Sequence, residues 1–413
     1  MFKKLLFFIF IFSFNTYATT IIVGKNARIT TIKKAVEICK EGDTIFIEKG
    51  IYKEHNISIL NKSIHIVGEK EVIIDGEFKE SIIKVTANNF SIEGVTLINV
   101  GHSYTKDFAA ILVSKSNHFV LKNLVLKNVF FGFLIEKSHY GNIENNIITS
   151  HADNEANSGN GIHLWHCSNM KIKNNTVSGL RDGIYFEFVN NSTITENNSH
   201  NNIRYGLHFM FSNHNSYFKN EFKNNGAGVA VMFSKFIVMR DNIFHYNWGM
   251  ASYGLLLKEI YDAQIKNNIF EQNTIGINVE TCTRVTYTNN IFVRNGWALK
   301  FSGGCYENEF TKNDFLYNAF DLSYNSQLND NRFEQNFWSE YTGYDLNKDG
   351  VGDVPYRPVK LFSYIVNQTP ESLVLLRSLF IDIINFSEKV SPVFTPNNLI
   401  DKKPLIKRIN DSN

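Results

Sequence analysis

The sequence predicts an all-β fold, a right-handed parallel β-helix solenoid of about eleven coils of about 22 residues each, with an N-terminal helix cap and a C-terminal helical extension. Three observations predict it. A strand-opening segment recurs at Ala110, Gly132, Gly161, Gly183, Gly206, Gly228, Gly254, Gly276, Ala298 and Phe320, at spacings of 22, 29, 22, 23, 22, 26, 22, 22 and 22 residues. An Asn follows seven of these openings at a fixed distance, at Asn146, Asn175, Asn197, Asn220, Asn242, Asn268 and Asn290, and a second recurs at Asn202, Asn225, Asn247, Asn273 and Asn295. Asn tolerates left-handed backbone and its amide can bond along a stack, so an Asn at each corner suits a turn repeated coil upon coil. The units are also rich in Ile, Val, Phe, Thr and Asn at period two, whereas helical repeats need helix formers.

Each segment follows from its residues. Lys3 and Lys4, the apolar run Leu5 to Phe14 and Thr16-Tyr17-Ala18 give residues 1–18 the form of a secretory signal rather than a retained anchor, since ten apolar residues do not span a bilayer. Without those two Lys the 42 bases fall to 40, equal to the 40 acids, so charge points to no nucleic acid. Residues 19–80 are expected to form a cap and the first strands, with an amphipathic helix over Ile29 to Lys40 and a strand after Gly42. Residues 81–340 hold the repeats, and the long spacing before Gly161 leaves His151 to Asn160 as a polar surface excursion. Cys39, Cys167, Cys282 and Cys305 include no CxxC pair; Cys282 and Cys305 stand one coil apart, and their bonding is left open.

The face carrying chemistry is the outer side of the opening strands. Down successive coils the third position reads His163, Tyr185, His208, Ala230, Leu256, Asn278 and Lys300. The fifth reads Trp165, Glu187, Met210, Met232, Lys258, Glu280 and Ser302. Equivalent side chains on neighbouring coils lie about 5 Å apart, so Met210 and Met232 are adjacent and His208 flanks Met210. Thioethers with imidazoles suit a soft ion such as Cu(I), with His163, His208, Met210 and Met232 as candidate ligands. The same stripe, with Trp165, equally reads as an apolar patch that docks a protein. Tyr185, Glu187, Arg204 and His208 could instead serve a polysaccharide lyase or epimerase, although no carboxylate pair shares a level on this strand.

Residues 341–358 contain Asp345, Asn347, Asp349 and Asp353 around Gly350. Oxygens at alternate positions suit Ca²⁺, but the twelfth position is Tyr356 and not Glu, and the loop equally reads as a turn held by its own hydrogen bonds. Residues 359–413 are expected to be a docking segment and tail: a helix from Thr369-Pro370 through Leu373 to Phe386, then an extended arm from Lys389. Its wide apolar face, with Leu376, Phe380 and Ile383, must bury against the solenoid, a partner or a bilayer surface.

Several segments resemble the NosD family of nitrous oxide reductase maturation proteins. They include Gly159-Asn-Gly-Ile-His-Leu-Trp, Arg181-Asp-Gly-Ile-Tyr-Phe-Glu-Phe, Arg204-Tyr-Gly-Leu-His-Phe-Met-Phe-Ser, Asn225-Gly-Ala-Gly-Val-Ala-Val-Met and Gly343-Tyr-Asp-Leu-Asn-Lys-Asp-Gly-Val-Gly-Asp-Val-Pro-Tyr. The resemblance runs from about residue 159 to 358. It implies a periplasmic accessory protein, not itself an enzyme, that works with an ABC-type ATPase and a membrane permease to assemble a copper–sulfur centre. Copper would come from a lipoprotein chaperone and pass to the apo nitrous oxide reductase. ATP hydrolysis would belong to the ATPase, because this chain has no GxxxxGK[ST] loop. The C-terminal helix would dock the permease.

Overall fold

The computed structural model describes residues 18–103, 105–324, 330–376, 378–390 and 399–409. The proposed signal segment therefore lies outside the described residues, except for Ala18. The remainder forms a parallel β-solenoid of three sheets, with 14, 12 and 13 strands in order. Each coil gives one strand to each sheet, as in Ile162–Trp165, Lys171–Lys173 and Thr176–Ser178. Every strand pairs in parallel with its equivalent one coil later, for instance Ile172 with Ile194. The expected eleven coils are too few, because residues 19–80, read as a cap and the first strands, already supply six strands. Their period is masked in sequence by irregular turns.

The interior is one continuous core of Ile, Val, Leu and Phe from every inward position. The abundant Phe forms ladders along the axis. Phe222, Phe244, Phe270, Phe292, Phe315 and Trp338 stack at 5.4, 4.6, 5.0, 4.9 and 4.1 Å between ring centroids. Such pairs add about 0.5–1.5 kcal/mol each beyond burial.

The two Asn roles expected at each corner fall on two different residues. Asn174, Asn267 and Asn289 take the left-handed conformation, at φ 52°, 55° and 55°. The next residue is buried and bonds along the axis. Nδ2 of Asn175, Asn197, Asn220, Asn242, Asn268, Asn290 and Asn313 each donates to Oδ1 of the following coil's Asn at 2.9–3.0 Å. The ladder ends on Asp401, whose Oδ2 accepts from Asn336 N at 3.0 Å, Asn336 Nδ2 at 3.1 Å and Trp338 Nε1 at 3.1 Å. The tail is thus no free arm: residues 399–409 return to close the solenoid, with Leu405 bridging Phe337 and Val351.

Both ends differ from the helix expectations. A strand, Thr20–Val23, precedes the first helix, and α1 covers only Ile32–Ile38 because Ile29 pairs with Val23. Glu54 caps α1, accepting from Ile32 N at 2.7 Å and Lys33 N at 2.9 Å. At the other end α2 spans Leu361–Gln368, a 3₁₀ turn spans Pro370–Leu375, and α3 spans Leu379–Val390. The single expected helix breaks at Leu376, which is extended at ψ 127°. Ser378 then opens α3 by accepting from Ile381 N. Phe362 and Val366 of α2 and Ile381 of α3 share a small core with Phe320, the last outward aromatic of the opening strands.

Candidate functional site

The opening strands set the site in strict register. His163 pairs with Tyr185, Tyr185 with His208 and His208 with Ala230. Trp165 pairs with Glu187, Glu187 with Met210 and Met210 with Met232. His208, Met210 and Met232 are therefore contiguous, on one strand and its neighbour. His163 is not among them, because the Tyr185 ring lies between the two imidazoles, with centroids 4.7 Å from His163 and 4.6 Å from His208.

Outward does not mean exposed in the third column. His208 is 3% exposed and Ala230 0%, since large side chains one coil apart cover one another. The fifth column, with Glu187, Met210 and Met232, is half-buried and reaches solvent.

A charged cluster surrounds His208. Asp182 is fully buried; Arg204 Nε forms an ion pair with its Oδ1 at 3.2 Å without hydrogen-bond geometry, and His208 Nδ1 lies 3.6 Å from Oδ2. Arg181 Nε is 3.9 Å from Asp182 Oδ2 and donates to Asn160 Oδ1 at 3.2 Å. Arg204 Nη2 lies 3.2 Å from His208 Nδ1, with the guanidinium over the Tyr205 ring at 4.7 Å. Sequence reasoning missed Asp182, Arg181, Asn160 and Tyr205 because strict alternation from the glycine turns Asp182 inward. Gly183 breaks that alternation: a Cβ there would meet Ser199 Oγ at 2.0 Å inside the coil. The strand register correspondingly skips Gly183 and resumes at Ile184. The signal available was Asp182 itself, a charged residue immediately before a glycine opening.

Burial governs the protonation of this cluster. It pulls the His163 imidazole down to about 4, with Arg181 acting in the same direction. His208 is also lowered, burial outweighing the neighbouring Asp182 carboxylate. Burial raises the Tyr185 phenol to about 12, helped by Glu187 and Asp182. Both imidazoles are neutral at pH 7, as metal ligation requires.

Beside the methionines runs an aromatic ridge that the sequence reading did not identify. His166, Phe188, Phe211 and Phe233 stack at 4.7, 5.3 and 5.0 Å. All four adopt φ between 50° and 54°, a region costing bulky residues about 1 kcal/mol or more each. Phe188 and Phe211 are exposed. Trp165, the expected docking residue, borders this ridge and carries Lys137 Nζ 5.0 Å from its ring centroid.

The remaining expected sites lie elsewhere. In the 341–358 loop, Asp345 Oδ1 and Oδ2 accept from Asp349 N and Gly350 N at 3.2 and 2.9 Å, and Asp353 Oδ2 accepts from Leu346 N at 2.7 Å. Asn347 Oδ1 accepts from Asp349 N at 3.2 Å, so backbone donors close the loop on itself. Among the described residues no three His, Cys, Asp or Glu side chains group to hold a metal ion. All four cysteines are buried free thiols, and Cys167 is raised to about 11 by burial. At the C-terminal end Leu376, Phe380 and Ile383 are 37%, 56% and 55% exposed. With Leu379 at 74% and Phe386 at 68%, they leave the side of α3 away from α2 apolar and open. No helix among the described residues is long and apolar enough to cross a membrane.

A family model described as periplasmic copper-binding protein (NosD) matches residues 149–343. The chain is 26% identical over 368 residues to the probable ABC transporter binding protein NosD of Pseudomonas aeruginosa, covering 84% of this chain and 85% of that protein. It is 26% identical over 363 residues to the protein of the same description from Stutzerimonas stutzeri, covering 82% and 81%. The A-module of mannuronan C-5 epimerase AlgE4 from Azotobacter vinelandii has a TM-score of 0.59 at 12% identity, over 70% of this chain and 90% of that one. That likeness is one of fold alone. The family model spans every coil that carries His163, His208, Met210 and Met232, and both relatives match most of the chain, so the chain is similar to NosD proteins along most of its length.

Proposed function

We propose that this chain is a periplasmic, signal-exported accessory protein that receives Cu(I) on the outer face of its opening strands and passes it to apo nitrous oxide reductase. The observation that carries the reading is the register of His208, Met210 and Met232, two thioethers and a neutral imidazole on adjacent strands. Soft donors of this kind hold Cu(I) in preference to hard cations. Copper here is cargo, delivered by a lipoprotein chaperone. Partial exposure of the methionines and the adjoining aromatic ridge supports a surface that a second protein can cover during transfer. His163, behind Tyr185, would be a relay position. The exposed side of α3, with Leu376 nearby, fits an ABC-type permease whose ATPase supplies the energy, so the chain itself is not an enzyme. Among its described side chains the charged ones are Asp382 and Glu388, which disfavours an anionic bilayer surface. Calcium at Asp345, Asn347, Asp349 and Asp353 would pin this segment to the last coil.

The test is Cu(I) titration of residues 19–413 against a competing chelator, beside Met210→Ala/Met232→Ala. Binding by the parent and at least tenfold weaker binding by the variant is expected; equal binding sinks the assignment. A lyase or epimerase of the same fold would instead alter uronate polymers without copper.

A further inference from the structure

Three buried side-chain polar atoms without hydrogen-bond partners belong to this one cluster: Asp182 Oδ2, Arg204 Nε and His208 Nε2. Native proteins rarely leave such atoms unpaired, because an unpaired buried polar group is costly, so their presence here calls for an explanation. The geometry around His208 Nδ1 supplies one. Arg204 Nη2 stands 3.2 Å from Nδ1, and a guanidinium only donates. In that arrangement Nδ1 accepts, the single proton of the neutral ring sits on Nε2, and Nε2 cannot bind a metal. Asp182 Oδ2 stands 3.6 Å from the same Nδ1, and a carboxylate only accepts. If Asp182 takes over, the proton sits on Nδ1 and Nε2 presents a lone pair.

We propose that Arg204 and Asp182 compete for His208 Nδ1 and so set whether Nε2 can ligate copper. The inference rests on the reading of His208 as a copper ligand. Asp182 is a positioning residue and Arg204 its competitor. The exchange balances: one proton leaves Nε2 for solvent, one is taken up at Nδ1, and the ring stays neutral. Arg204 has a route to solvent, because its side chain is 31% exposed and its guanidinium lies over the Tyr205 ring at 4.7 Å. Arg181, 3.9 Å from Asp182 Oδ2, keeps a compensating positive charge beside the carboxylate when Arg204 withdraws. A carboxylate on an incoming protein surface is the chemistry that would draw Arg204 away, so that docking and copper affinity are coupled.

The experiment uses residues 19–413 as parent, Asp182→Asn and Arg204→Gln, with two readouts. Nitrogen NMR of the His208 ring without metal should show the proton on Nε2 in the parent and in Asp182→Asn, and on Nδ1 in Arg204→Gln. Chelator competition should show Cu(I) held about 10- to 100-fold more weakly by Asp182→Asn, the usual cost of losing a carboxylate behind a ligating imidazole. Arg204→Gln should bind several-fold more tightly. A loss in both variants, parental affinity in Asp182→Asn, or an Nδ1 proton in the metal-free parent overturns the proposal. Asp182 is buried, so a melting curve accompanies it; Arg204→Gln alters a half-exposed side chain and predicts a gain, which misfolding cannot mimic. No copper binding by the parent would remove the copper reading itself, while the ring spectra separately decide whether these two residues set the tautomer.

Discussion

His163 shows how one residue ties packing to pH. Its folded value of about 4 lies below the ordinary 6.5, so between those limits the unfolded chain takes up the proton first. Its contribution to stability is complete above pH 6.5 and is lost as pH falls toward 4. We expect His163→Gln to remove about 2 kcal/mol of that acid-side loss, read as the difference between urea midpoints at pH 7 and pH 4.5. Equal losses in parent and variant would mean that the ring is more solvated than its aromatic neighbours imply. The same burial keeps the imidazole neutral, so acid stability and readiness for a soft cation have one cause. The identity of this residue as outward-facing was legible from the repeat. Its burial was not, because Phe131 and Tyr185, which contact its ring, come from the coils before and after.

The asparagine ladder is the element whose sequence pattern spoke most clearly. Asn268 donates through Nδ2 to Met239 O and to Asn290 Oδ1, both at 3.0 Å, while its Oδ1 accepts from Asn242 N and Nδ2, also at 3.0 Å. Removing it strands buried partners on both sides, so Asn268→Ala should cost about 3 kcal/mol by chemical denaturation. The preceding Asn267, at φ 55°, serves the turn and donates to Asp241 Oδ1 at 3.1 Å on the exposed surface, and Asn267→Gly should change stability by less than about 1 kcal/mol. A reversed ranking would show that the left-handed turn and not the ladder holds the corner. The sequence announced both Asn positions, yet nothing local told which was buried. That the last rung is Asp401, 65 residues beyond Asn336, was invisible to a period of 22.

Across the whole molecule, the soft face and the C-terminal helices lie on the same sheet. Between the strands of Met232 and Phe320 there are four coil steps, which at about 4.8 Å per step is about 19 Å. A transporter gripping α3 would therefore stand along the same side as the copper stripe. Phe380→Asp/Ile383→Asp should abolish co-purification with an ABC permease and leave the melting temperature unchanged, since both side chains are more than half exposed. Retained co-purification would move the dock away from α3; a lowered melting temperature would mean that this face already packs within the chain.

The sequence by itself determined the solenoid, its period, the register that brings Met210 beside Met232, and the Asn at each corner. All of these repeat, and a repeated unit can satisfy its backbone only by stacking on its own copy. Only the tertiary structure decided the exceptions. Gly183 turns Asp182 outward because Ser199 of the same coil fills the space a side chain would need. Phe320 gives α2 and α3 a seat, and residues 399–409 fold back because the last Asn rung needs an acceptor that no further coil provides. These are long-range packing and hydrogen-bond requirements, set where the repeat stops and not within it.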